Sequence, residues 1–146
     1  VVNQPSRAPF DLDRFVQAQN TTYATALDEI RRGHKDSHWM WFIFPQIAGL
    51  GSSPMAQRYA IATRVEAQAY LAHDVLGSRY RACVEALQAL PHRDAQVVFG
   101  AIDAMKLRSS LTLFADASGE APIANALQEW FGTPDVQTLR RMRDPE

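Results

Sequence analysis

The chain has 146 residues, with Lys+Arg 15 against Asp+Glu 16, and is 47% hydrophobic and 21% charged. This length suits one domain with a core of its own, and the composition excludes a disordered chain. A net charge of -1 argues against a dedicated nucleic-acid binder, no apolar run reaches the roughly 20 residues of a membrane span, and the lone Cys83 excludes both an internal disulfide and a multi-cysteine zinc site.

Residues 1–10 hold two prolines and no periodicity, which predicts a tail that packs through Phe10. No charged-then-apolar leader opens the sequence, so the expected location is the cytoplasm. Residues 11–146 are expected to form a single helical domain. Asp11 is placed to cap a first helix, along which Phe15, Ala18, Tyr23, Ala26, Leu27 and Ile30 recur at helical spacing. Gly33 is its natural stop. The densest stretch follows, KDSHWMWFIFPQIAGLG at 35–51. Its apolar run 39–44 fits either a short buried strand or an irregular connection through the core. Ser53 and Pro54 then start a short helix, and Thr63 with Glu66 has the spacing of a capping box. Gly77 permits a break, after which Tyr80, Val84, Leu87 and Leu90 line one face of a helix ending at Pro91. Asp94 is placed to cap a short helix ending near Gly100. Residues 102–117, 122–131 and 135–142 read as three more helices. The fold class predicted is all-α, a compact single-domain bundle of six to eight helices with a buried aromatic connecting segment.

Two segments carry groups suited to chemistry. His38 between Lys35 and the indoles of Trp39 and Trp41 can form a pocket that stacks a flat ring and moves a proton. Lys35 and Gln46 flank the run and can hold an anion and an amide. The same pattern also reads as aromatic core, with His38 satisfied by a backbone carbonyl. On the helix after Gly100, Asp103, Lys106 and Ser110 fall on one side together with Phe99, Leu107 and Phe114. That mixture suits a pocket wall or an ion pair of Asp103 with Lys106. Gln19, at the border of the first apolar face, reads as a buried amide paired with the 35–46 segment more readily than as a ligand contact. His34 and His38 have the spacing of a helical metal pair, but Gly33 ends the helix and no third ligand is near, so neither a metal nor a cofactor is expected. Cys83 reads as a small buried hydrophobe, and Arg140, Arg141 and Arg143 as a solvated helix end.

The 35–51 segment, FVQAQ at 15–19, AYLAHDVLGSR at 69–79 and FGAIDAMKLRSSLTLF at 99–114 together resemble the domain-of-unknown-function family 1810, over roughly residues 10 to 142. Asp74 departs from it, standing where that family often has proline. The resemblance implies a compact all-helical fold and no transferable activity. The Phe15 to Gln19 helix and the Asp-x-x-Lys-Leu pattern at 103–107 are also similar to the NADAR superfamily. That second likeness implies a small nucleotide or ADP-ribose-like ligand. In its enzymatic form, an N-glycosidase-type hydrolase, Trp39 or Trp41 stacks the ring and Lys35 or Lys106 meets phosphate. His38 and Asp103 are then the catalytic pair, with Gln46 and Ser110 as further substrate contacts. The alternative is a non-catalytic protein-interaction or ligand-sensing domain, in which the aromatic run is exposed as an apolar patch. The pocket reading expects Lys35, His38, Gln46, Asp103 and Lys106 to converge on one cavity. Neither nucleic acid nor membrane is expected as a partner, and the sequence leaves the oligomeric state open.

Overall fold

The computed structural model describes residues 10–143. The tail predicted at 1–10 therefore lies outside the described residues except for Phe10, which is half-buried. The described residues form ten helices and no strand: α1 Asp13–Asn20, α2 Tyr23–Arg32, α3 Met40–Ile43, α4 Pro54–Arg58, α5 Arg64–Ala72, α6 Asp74–Gln88, α7 Ala95–Phe99, α8 Ala101–Ser118, α9 Ala121–Phe131 and α10 Val136–Arg143. The protein is all-α, as the periodicity predicts, but with ten helices among the described residues where six to eight are expected, because the first is split in two and 40–43 adds a turn. The only extended pairing among these residues is one parallel bridge, in which Ala48 donates to the Ile61 carbonyl at 2.8 Å and Ile61 to that of Gln46 at 2.9 Å.

Helix boundaries follow local chemistry where caps are present. Ser53 Oγ accepts from the Ala56 N–H with Pro54 in the first turn, Thr63 Oγ1 accepts from Glu66, and Asp94 accepts from Val97. Gly33 and Gly119 end α2 and α8 at φ 74° and 71°. Three boundaries differ from the sequence reading. The first predicted helix is two, parted at Thr21 and Thr22. Asn and Thr are weak helix formers whose side chains compete for backbone groups, and the break lets each half turn its own apolar side inward. Asp11 caps nothing; Leu12 stands at the start of α1 without a side-chain cap. Gly77 lies inside α6 rather than at a break. The chain turns instead at His73, whose Nδ1 accepts from the N–H groups of Val75 and Leu76. Gly77 is needed because a Cβ there would stand 2.1 Å from the Leu71 carbonyl oxygen at the end of α5.

The core is one cluster of aromatic and aliphatic side chains. The long α8 runs through it and packs against α5, α7, α9 and α10, while α6 joins α2, α5 and α9. The 39–44 run is neither strand nor open loop but a single buried helical turn. Phe44 meets Tyr80 at 5.6 Å and Phe99 at 6.4 Å, both edge-on, and Phe42 meets Tyr59 at 5.2 Å. Gln19 lies fully inside, donating from Nε2 to the Phe42 carbonyl at 2.7 Å and to the Tyr70 hydroxyl at 2.9 Å. This is a structural amide, satisfied by the aromatic segment that it holds. Cys83 is buried, and burial pushes its thiol up to about 12. The native protein is accordingly expected to resist a disulfide-exchange reagent at pH 8 and to react fully once unfolded in urea; absorbance of the released thiolate checks this.

Candidate functional site

Gly33 ends α2 in the left-handed conformation, and the chain then runs along α7, where the Lys35 N–H donates to the Val98 carbonyl at 2.8 Å. What shapes the next residues is Glu29, on the same face of α2 as Ala26. It is 2% exposed. Its Oε1 accepts from the N–H of Asp36 at 2.8 Å, the N–H of Ser37 at 3.0 Å and the indole Nε1 of Trp39 at 2.9 Å, while its Oε2 accepts from Ser37 Oγ at 2.6 Å. Burial alone would raise its pKa, but these donors outweigh burial and hold it at about 2. A loop that would otherwise be free is thus wound around one carboxylate. The sequence reading missed Glu29. The signal was a carboxylate three residues from Ala26 on an otherwise apolar face.

The wound loop delivers Lys35 into the fold. Its Nζ donates to the Ser37 carbonyl at 2.5 Å, meets Asp103 Oδ2 at 2.8 Å and sits 5.0 Å from the Trp39 ring centroid. Asp103 comes from the first turn of α8. Gly100, at φ 83° and ψ 164°, makes the sharp corner from α7 that only glycine adopts readily. Lys106, one turn along α8, lies 3.7 Å from Asp103 Oδ1 and 4.9 Å from the Trp41 ring centroid. Trp41 is half-buried on α3, and among the described residues its indole N–H has no partner.

These groups surround a cleft of about 460 Å³, lined by Lys35, His38, Trp41, Gly100, Asp103 and Lys106, with the sides of Trp39 and Phe99 beneath. His38 is exposed at the rim. The start of α8, Gly100 to Asp103, lines this cleft, and the positive end of the helix dipole adds to the charge of the two lysines. Lysines, helix start and a half-exposed indole suit an anion beside a flat ring.

Six of the eight side chains expected in a site therefore share one cavity. Trp39 forms its floor rather than a stacking wall, being fully buried with its N–H held by Glu29. The other two stand apart. Gln46 does not line this cleft; it lies beyond Trp41, in a groove with Gly49 and Gly51 and in a second one that Trp41 and Lys106 also line. Ser110 is two turns deeper along α8, wholly buried and bonded to the Tyr80 hydroxyl at 2.9 Å. His34 turns outward to Asp36 at 3.0 Å, and no group of three metal-ligating side chains occurs among the described residues. Nor is any helix among them long and apolar enough to cross a membrane.

Comparison with known proteins places this architecture. The crystal structure of the conserved hypothetical protein Rv1873 from Mycobacterium tuberculosis is 46% identical, covers 91% of this chain and 96% of its own, and superposes with a TM-score of 0.87. No curated protein sequence matches. The model of the family described as "Protein of unknown function (DUF1810)" matches residues 9–142. With nearly the whole described fold inside that match, the chain belongs to the DUF1810 family.

Proposed function

We propose that this chain is a single cytoplasmic domain that binds a small nucleotide-like ligand, of ADP-ribose type, in the cleft between the 35–41 segment and the start of α8. The observation that supports this reading is the meeting of Lys35, Lys106, Trp41 and the α8 N-terminus around one opening, from segments far apart in sequence. Two lysines against one aspartate leave the cleft with a surplus positive charge. Phosphate sits against the ammonium groups and the first turn of α8, the ring against the exposed part of the Trp41 indole, and His38 at the rim is the proton carrier for any hydrolysis of the glycosidic bond. Asp103 is engaged by both lysines, which favours binding over an acid–base part for that carboxylate.

The test is a thermal-shift screen with NAD, ADP-ribose, AMP and adenosine. A ligand held at a hundred times its Kd adds about 2.7 kcal/mol to native stability. Wild-type protein is expected to melt at a higher temperature with ADP-ribose, and Lys106→Ala and Trp41→Ala proteins to fold and lose that shift. No shift with any nucleotide would remove the reading. The interaction-domain reading draws on one observation, the exposure of Ile102 and Met105 at 72% and 71% beside the cleft. It required the aromatic run itself to be exposed, and of residues 39–44 only Trp41 is more than slightly accessible.

A further inference from the structure

We propose that Asp103 is a built-in counter-ion occupying the anion subsite of the cleft, so that a ligand phosphate binds by displacing it from Lys35 and Lys106. The proposal rests on the binding reading above and adds what sets the strength and selectivity of that binding.

The two lysines are positioned by contacts that do not involve Asp103. Lys35 is anchored by the Ser37 carbonyl and the Trp39 ring and its side chain is 7% exposed; Lys106 rests over Trp41. Both ammonium groups therefore keep their places when the carboxylate moves. Asp103 is less enclosed than Lys35, 22% exposed on the first turn of α8 and lining the open cleft. Rotation about its χ1 carries the carboxylate into water. Its oxygens reach the two ammonium groups at 2.8 and 3.7 Å, which is the arrangement two phosphate oxygens need.

Charge then decides which ligands displace it. A carboxylate ligand exchanges one singly charged group for another and gains little. A phosphate monoester or a pyrophosphate carries more charge and more acceptor oxygens, and gains from both lysines and from the α8 N-terminus. Asp103 thus excludes simple carboxylates and admits phosphorylated ligands, and it neutralises part of the lysine charge in the meantime.

The experiment measures calorimetric affinities of the wild-type, Asp103→Asn and Asp103→Ser proteins for inorganic pyrophosphate, ADP-ribose and adenosine, with circular dichroism to verify folding. Removing a negative charge within about 4 Å of the bound anion, after screening, is expected to tighten pyrophosphate and ADP-ribose by about tenfold or more in both variants. Adenosine, which has the ring and no phosphate, should bind all three proteins alike. Unchanged or weaker phosphate binding in both variants overturns the counter-ion role, and leaves the binding reading standing if the wild-type protein takes ADP-ribose. An equal change for adenosine overturns it too, because Asp103 then acts on the ring or sugar. Absence of binding to all three proteins overturns this proposal and the binding reading together.

Discussion

Replacing Glu29 with alanine is expected to cost about 3–5 kcal/mol in urea unfolding at pH 7, among the largest losses available in this protein. The substitution orphans the buried indole N–H of Trp39 and two part-buried backbone N–H groups. Glu29→Gln should cost less, about 2–3 kcal/mol, because it keeps the bonds but loses the charge. Three of the four bonds fall on Oε1, so the amide oxygen placed there retains them, while the amide nitrogen donates to Ser37 Oγ, whose hydroxyl can rotate to accept. The pH dependence has a definite sign. Glu29 has a pKa of about 2 in the folded chain against 4.5 ordinarily, so the unfolded chain binds its proton first as pH falls. Its contribution is complete above about pH 5 and fades toward pH 2, reaching about 3 kcal/mol by linkage. Urea unfolding at several pH values should show this slope in the wild-type protein and its loss in Glu29→Gln. Equal slopes in the two proteins would mean that the carboxylate is not held as described.

Phe44→Ala is expected to cost about 3–5 kcal/mol, against about half that for Trp41→Ala, although the two residues lie three apart in one aromatic run. Phe44 is fully buried and has the rings of Trp39, Tyr80 and Phe99 around it within 5.6 to 6.4 Å. Its removal leaves a cavity that the surrounding rings cannot close without losing their edge-on contacts. Trp41 is half-buried with one side on the cleft, so truncation opens onto solvent instead of leaving a void. Denaturant midpoints of the two variants measure the difference. Losses of equal size would move Trp41 into the core and remove the stacking wall from the cleft.

Much of the helical layout was legible in the sequence, because helix ends are decided by groups a few residues apart. Ser53, Thr63 and Asp94 cap the helices they precede, and Gly33 and Gly119 stop the ones they follow, since a side-chain oxygen or a missing Cβ acts on the nearest backbone. The composition of the 35–51 and 99–114 segments likewise marked the cleft, and Lys35, His38, Trp41, Asp103 and Lys106 do meet there. Gln46 and Ser110 carried the same polar signal and stand elsewhere. Gln46 follows Pro45 and lines grooves beyond Trp41, and two turns of helix carry a serine from the opening into the core.

Other features only the tertiary structure decided. Gly77 looks like a helix break in sequence and is required by a carbonyl of α5 that approaches it. Trp39 and Trp41 are chemically alike, yet one is floor and the other wall, because the indole N–H of Trp39 is drawn inward by Glu29. Glu29 shows in sequence only as a carboxylate on an apolar face, without its partners. Its part in the fold depends on which loop closes over it, and Asp103 meets Lys35 only because that loop is closed. Local rules set the helices, since their energies act over one or two turns. The cleft depends on charges and donors brought together by packing, and so is written in the sequence only as residue types, without their partners.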